Sequence, residues 1–270
     1  MSKLNFKDKV VVVTGAASGI GAAVCDRFAC AGASLMLLDR DEAGVGTVVE
    51  KLRARGFDAR GFRCDVACED ECTAVIAQII EHRGGIDVLV NNAGITQRSA
   101  FVETEISVYR RVMDVNFFGS LYCTKAAVVS LIERKGMIIV IESLAGVAPL
   151  LGRTGYCASK HALHGLFTTL RSEIGTTGVH IMLVCPGFVE TNLQTRALGG
   201  DGQVTTHPQS VVGKPVSAAR VAADIYAGAL ARKPMLVLTP IGKLSYWINR
   251  LAPRLYERIM ARQVKAELER

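Results

Sequence analysis

Proline is scarce in this chain, with seven residues of 270 against 26 glycines, while half of all positions are hydrophobic. That composition excludes both a disordered tract and a collagen-like repeat. Also missing is any apolar run near the ~18 residues that a membrane-spanning helix needs. The longest, Lys9–Val13 and Met137–Ile141, have the length of strands. The opening MSKLNFKDKV has no apolar core ahead of a small-residue cleavage site, so no secretory signal is expected and the chain reads as a soluble cytoplasmic protein. Paired C-x-x-C spacing is absent as well. The eight cysteines stand at 25, 30, 64, 68, 72, 123, 157 and 185, and the evenly spaced Cys64, Cys68 and Cys72 have no histidine at metal spacing. Reduced structural thiols are expected, and no metal.

Acidic residues are thin at one end. From Arg232 onward nine basic residues face only Glu257, Glu267 and Glu269, so this end carries six of the seven net positive charges. The nearly neutral body is poor material for a groove that tracks phosphates, which argues against a nucleic-acid partner.

The length suits one large domain or two small ones. Strand-like apolar runs at 9–14, 34–39, 58–64, 86–91, 136–142, 179–185 and 235–239 alternate with helix-period stretches at 19–31, 41–55, 69–82, 104–134, 156–175 and 217–231. Continuous β-branched runs fit strands covered on both faces, and strict alternation implies right-handed crossovers. The expected fold class is therefore α/β: one doubly wound, Rossmann-type domain over 1–240, with about seven parallel strands and helices on both faces. A loop rich in glycine and proline is expected near 187–216, and a helical extension over 241–270.

The first strand runs into Thr14-Gly15-Ala16-Ala17-Ser18-Gly19-Ile20-Gly21. Gly15 permits a tight turn, Gly19 lets backbone approach a pyrophosphate, and Gly21 lets the following helix pack on the strand, with the phosphates at the helix N-terminus. Asp39 closes the second strand, where a carboxylate binds ribose hydroxyls and repels a 2′-phosphate. Arg40 beside it favours that phosphate, but no cation lies among Ala16, Ala17 and Ser18. The balance leans to NAD and leaves NADP open.

The G-x-x-x-G-x-G spacing is followed in order by Asp65-Val66, Asn91-Asn92-Ala93-Gly94, Asn116, Ser143, Tyr156-x-x-x-Lys160, Pro186-Gly187 and Thr191. Across about residues 7–240 the chain thus resembles the short-chain dehydrogenase/reductase family, in its form of roughly 250 residues. The resemblance implies a nicotinamide-dependent oxidoreductase acting on CH–OH groups, working as a homodimer or homotetramer. Gly15, Ser18, Gly19, Ile20 and Gly21 would cradle the cofactor, with Asp39 and Arg40 at the adenosine ribose and Asp65 and Val66 at the adenine. Asn92, Ala93 and Gly94 would underlie it, and Pro186, Gly187, Val189 and Thr191 would meet the nicotinamide. Lys160 would hold the nicotinamide ribose, and Asn116 a water of the proton relay. The stretches Tyr156–Leu163 and Pro186–Leu193 are similar to members acting on steroids, retinoids and other lipid alcohols.

The chemistry is legible without the family. Tyr156 and Lys160, four apart on a helix, share a face. A free phenol has a pKa of ~10, and lowering it three units takes roughly 4 kcal/mol, within reach of the Lys160 ammonium and an oxidised nicotinamide. Tyr156 is expected to exchange the proton of the alcohol, with Ser143 hydrogen-bonding its oxygen. Leu150 and Phe188, with Leu151, Val189, Leu193 and Leu198 nearby, suggest an apolar pocket for a lipophilic secondary alcohol or ketone. Arg98 and Arg153 are the candidates for meeting an acidic group. Glu142 stands where the family usually carries a small polar residue, and no catalytic role is assigned to it or to His161 and His164. The alternative function is a non-catalytic dinucleotide-binding sensor or scaffold, against which the joint presence of Asn116, Ser143, Tyr156 and Lys160 counts.

In the tail, Leu244, Trp247, Ile248, Leu251, Leu255 and Ile259 form a helical stripe beside a basic ridge of Arg250, Arg254, Arg258 and Arg262, with Pro253 as a break. Two readings stay open: a peripheral contact with an anionic membrane, or a helix packed on its own domain or a second subunit.

Overall fold

The computed structural model describes residues 5–206 and 213–264, with side chains through 262. Its strands are β1 (Val10–Thr14), β2 (Ser34–Asp39), β3 (Ala59–Arg63), β4 (Val88–Asn91), β5 (Met137–Ile141), β6 (His180–Cys185), the short β7 (Val189–Glu190) and β8 (Val216–Ser217), and β9 (Met235–Val237). The helices are α1 (Gly19–Ala29), α2 (Glu42–Arg53), α3 (Glu69–Arg83), α4 (Ile106–Met113), α5 (Gly119–Glu133), α6 (Thr154–Glu173), α7 (Ala218–Leu230), α8 (Pro240–Leu251) and α9 (Pro253–Val264).

Seven strands form one parallel sheet in the order β3-β2-β1-β4-β5-β6-β9. The period-two geometry of a strand splits its side chains between two cores. Val11 and Val13 of β1 pack with Phe28 of α1, Val45 of α2 and Ile225 of α7, whereas Val10 and Val12 pack with Ile76 of α3, Leu131 of α5 and Phe167 of α6. Because both faces are covered, the run Val10–Val13 is apolar without alternation. The chain steps outward from β1 through β2 to β3, then returns to place β4 on the other side of β1. That reversal opens a crevice beyond the carboxyl ends of the strands, which is where such sheets bind ligands.

Several details differ from the expectation. The helix foreseen over 104–134 is α4 and α5 joined by a π turn, Asp114–Phe118. By length and composition this continuous stretch, Ile106–Glu133, matches a membrane span, contrary to the absence expected from the sequence. Val108, Val112, Cys123, Ala127 and Leu131 are all buried in it, as in a core helix. The loop near 187–216 carries the paired strands β7 and β8 and a bridge from Leu198 to Gln97; its Pro208 lies outside the described residues. All eight cysteines are free, with Cys72 and Cys123 in buried thiol contact at 3.6 Å.

The tail is two helices, divided at Ala252 and Pro253. Thr239 caps α8, its hydroxyl accepting from Gly242 N–H at 3.0 Å, and Pro240 takes the first helical position, where no N–H is needed. Asn249 donates to the Val147 carbonyl at 2.8 Å. Of the expected stripe only Ile248 turns inward. Tyr256 and Met260 are buried and pack with Ala148, Leu150, Leu151 and Ile248, while Leu244, Trp247, Leu251, Leu255 and Ile259 are exposed, Leu251 at 77%.

Candidate active site

The carboxyl ends of the strands open into one cavity of about 700 Å³. At its floor the turn after β1 is stitched to the end of β4. The Thr14 hydroxyl accepts from the N–H groups of Asn92 and Ala93, both at 3.0 Å, and the Asn92 amide donates to the carbonyls of Thr14 and Gly15. Gly15 has φ +65°, and a Cβ there would lie 2.8 Å from the Ala93 Cα. Gly21 is tighter still, since its Cβ would fall 2.2 Å from the Gly15 carbonyl oxygen. No acidic side chain occupies the first turn of α1, so its free N–H groups and dipole face the cavity as an anion site. Asp39 is tied into this turn, accepting from Ala17 N–H at 3.0 Å and Asp41 N–H at 3.1 Å. A glycine cradle, a helix N-terminus and a carboxylate at the next strand end fit a dinucleotide.

The cavity wall contains Gly15, Ser18, Gly19, Ile20, Asp39, Arg40, Asp65, Val66, Asn92, Ala93, Gly94, Ser143, Leu150, Tyr156, Lys160, Pro186, Gly187, Phe188, Val189 and Thr191. Two expected site residues are not on it. Gly21 lies beneath the turn. Asn116 sits in the π turn behind the wall, its Oδ1 accepting from Ile95 N–H at 2.8 Å and its Nδ2 donating to the Ile95 carbonyl and the Ser159 hydroxyl. Its amide pins the loop after β4 to α6; π turns of this kind recur at functional sites.

Ser143 follows β5 in extended backbone, its hydroxyl accepting from Ala145 N–H at 3.1 Å. Across from it α6 presents Tyr156, whose backbone N–H donates to Gln97 Oε1 at 2.9 Å. One turn on, the buried Lys160 Nζ donates to the Ile141 carbonyl at 2.8 Å. Burial pulls the lysine down to about 8, against an opposing pull from Glu142. For Tyr156 burial also dominates, raising the phenol above its ordinary value, with the Ser143 hydroxyl and the Arg153 guanidinium acting the other way. The sequence pointed to Lys160 as the group that lowers this phenol. In the structure Nζ stands over the Tyr156 ring, 5.7 Å from its centroid, and the Arg153 guanidinium is a second cation beside the phenol.

Arg153, a candidate from the sequence for meeting an acidic group, is on the cavity wall, and two further features were not foreseen. Arg153, buried in the wall, donates to the Thr96 hydroxyl at 3.2 Å. Tyr256 and Met260 bring the tail onto the cavity, and Arg111, Arg196 and Lys214 stand exposed at its rim.

A parallel sheet in this order, with a glycine cradle at its crevice and a Ser-Tyr-Lys set beside it, defines a dinucleotide-binding oxidoreductase. The short chain dehydrogenase profile matches residues 9–199, and the chain belongs to the short-chain dehydrogenase/reductase family. It is 35% identical over 274 residues to "Dehydrogenase/reductase SDR family member 7B" of Danio rerio, covering 97% of this chain and 88% of that one. It is 36% identical over 261 residues to "11-beta-hydroxysteroid dehydrogenase 1A" of Arabidopsis thaliana, covering 94% and 74%. Among solved structures, a short chain dehydrogenase/reductase from Burkholderia phymatum in complex with NAD superposes with a TM-score of 0.83 at 26% identity, covering 93% of this chain and 96% of that one. A short-chain dehydrogenase from Streptomyces avermitilis does so at 0.81 and 28%, covering 96% and 98%. The protein is an NAD(P)-dependent dehydrogenase/reductase acting on CH–OH groups.

Proposed function

We propose that this enzyme interconverts a lipophilic secondary alcohol and its ketone, with Tyr156 as the acid–base and NAD(H) as the preferred cofactor. The observation that carries the reading is the buried Tyr156 phenol on a cavity wall it shares with Ser143, Lys160 and the apolar Leu144, Leu150, Phe188 and Met260. The nicotinamide supplies the hydride or accepts it. In reduction the Ser143 hydroxyl holds the carbonyl oxygen and Tyr156 gives it a proton; in oxidation the same phenol takes the alcohol proton. Burial keeps Tyr156 protonated at neutral pH, the form that serves reduction. Lys160 contributes its ammonium to the ribose side of the site.

The lipophilic substrate is supported by the apolar wall and by the relative named for 11-beta-hydroxysteroids. NAD is favoured by Asp39, and the anion site at α1 takes the pyrophosphate. The test is a panel of steroid and long-chain ketones, with short polar ketones as controls, reduced with NADH and NADPH in parallel. The lipophilic members are expected to turn over with the higher kcat/KM and NADH to be preferred. Asp39→Ala is expected to narrow or reverse that preference, because it removes both the ribose acceptor and the repulsion of a 2′-phosphate. Wild-type enzyme that binds NADPH about tenfold more tightly than NADH would overturn the cofactor assignment.

A cytoplasmic enzyme in peripheral contact with an anionic membrane is part of this reading. Its support is the exposed row Leu244, Trp247, Leu251, Leu255 and Ile259 beside the exposed Arg250, Arg254, Arg258 and Arg262. Assembly as a homodimer or homotetramer draws on the exposed Phe118 and Val129 of the α4–α5 face. Since Tyr256 and Met260 line the cavity, point substitution tests the membrane contact more cleanly than truncation. Trp247 is the sole tryptophan, so its emission is expected to shift blue on phosphatidylserine vesicles and to revert in high salt. Co-sedimentation is expected to be lost in Leu251→Glu with the fold intact. No binding at low salt would leave the row to a subunit contact.

A further inference from the structure

Glu142 directly follows β5 and precedes Ser143. Its side chain is fully enclosed. Oε2 lies 3.3 Å from the His164 ring nitrogen Nδ1 and accepts from the Cys185 thiol at 3.4 Å. Oε1 has no hydrogen-bond partner among the described residues. An enclosed carboxylate keeps its charge only where cations face it, and an enclosed lysine needs an anion for the same reason. Lys160, 4% exposed, donates to the carbonyl of Ile141, the residue just before Glu142. Gly146 lets the Glu142 carboxylate approach the backbone of α6: a Cβ there would sit 2.9 Å from the Lys160 carbonyl oxygen and 3.3 Å from Glu142 Oε2. Neither the fold nor the packing of β5 needs a carboxylate at this point, and an apolar side chain would fill the same volume without a desolvation cost.

Resting on the catalytic reading above, we propose that Glu142 is a positioning residue of the reaction, the buried counter-charge of Lys160, with its carboxylate anchored by His164 and Cys185. The groups that bear on the pair are Lys160, His164 and Arg171 of α6 and Cys185 of β6, with Arg250 of α8 acting on His164. Burial lowers Lys160, and Glu142 is the largest influence opposing that fall. The same carboxylate lifts His164 above its ordinary value. Removing the negative charge must therefore lower both. Below its own midpoint a protonated His164 pairs with Glu142. Above it the carboxylate acts on Lys160 without that competition. His164 is one-third exposed, so the buried pair is linked to solvent pH through one ring. During turnover, loss of the counter-charge moves the alkaline limb of kcat/KM toward neutral pH, because Lys160 then discharges sooner.

The test needs no turnover. Ligand-free protein carrying lysine labelled with 13C at Cε is titrated by NMR, with the Lys160 signal assigned by its loss in Lys160→Arg. The wild-type midpoint is expected near about 8, and in Glu142→Gln it is expected to fall by roughly one pH unit or more. The His164 ring, followed in the same samples, is expected to titrate above ~6.5 in the wild type and to drop back in the variant. An unchanged Lys160 midpoint in folded Glu142→Gln overturns the proposal. Should that variant not fold, wild-type His164 decides alone: a midpoint at or below the ordinary value means no ionised carboxylate faces it, and the proposal fails. These titrations succeed or fail independently of whether Tyr156 is the acid–base.

Discussion

Tyr156→Phe is expected to lower kcat/KM for ketone reduction by about 10²–10⁴-fold, the span covered by loss of a positioned acid–base group. The change deletes one oxygen. The ring keeps its buried place in α6, and the backbone N–H keeps its bond to Gln97, so the fold has no reason to alter. NADH affinity, read by quenching of Trp247 emission, is expected to stay within a few-fold of wild type. The loss should therefore fall on kcat rather than on cofactor binding. A variant that turns over within tenfold of the wild type would remove Tyr156 from the mechanism and return the proton to another group.

Gly21→Ala is expected to damage stability and cofactor binding together. The added methyl would stand 2.2 Å from the Gly15 carbonyl oxygen and 2.6 Å from the Asn92 amide nitrogen. Both belong to the stitch that joins β1 to β4, and a backbone oxygen cannot move aside as a flexible side chain can. Overpacking of this sort costs about 1–3 kcal/mol, a fall of several degrees in Tm for a domain of this size. Dinucleotide affinity drops with it, because relief of the clash displaces the cradle itself. Gly46→Ala in α2 is the matched control, since nothing lies within 4 Å of its Cβ. There the replacement of a mid-helix glycine is expected to raise stability by about 0.5–1 kcal/mol. Thermal melts and NADH titrations of the two variants separate the crowding from the helix propensity. Equal Tm values would mean that the contact at Gly21 relaxes without cost.

The sheet was legible because its strands are buried on both sides: Val10–Val13 and Met137–Ile141 leave no polar face to confuse with anything else. The cofactor end was legible because tight backbone contacts demand glycine, and glycine at 15, 19 and 21 is visible in any sequence. The tail was legible only as helix. Leu244, Trp247, Leu251, Leu255 and Ile259 have the right period for a buried face, and so do Ile248, Tyr256 and Met260. Which set turns inward depends on Ala148, Leu150 and Leu151, a surface more than ninety positions away that no periodicity reports. The π turn at Asp114–Phe118 escaped for a different reason, because a one-residue slip in hydrogen bonding leaves no mark in residue type. The balance of charge at Tyr156 and Lys160 is likewise a property of enclosure. Arg153 and Glu142 are ordinary charged residues in the sequence, and become influential only when the fold removes water from around them.

The stretch matched by the family profile stops at residue 199, whereas Tyr256 and Met260 close the cavity from helices that come later. The cavity wall is thus encoded in two parts of the gene, Leu144, Leu150 and Phe188 within the matched stretch and Tyr256 and Met260 beyond it. Mutation in the last thirty codons can reshape the chamber while Ser143, Tyr156 and Lys160 are inherited untouched. Grafting the α8–α9 segment of one relative onto the body of another is expected to shift relative kcat/KM across a ketone panel and to leave cofactor preference with the body.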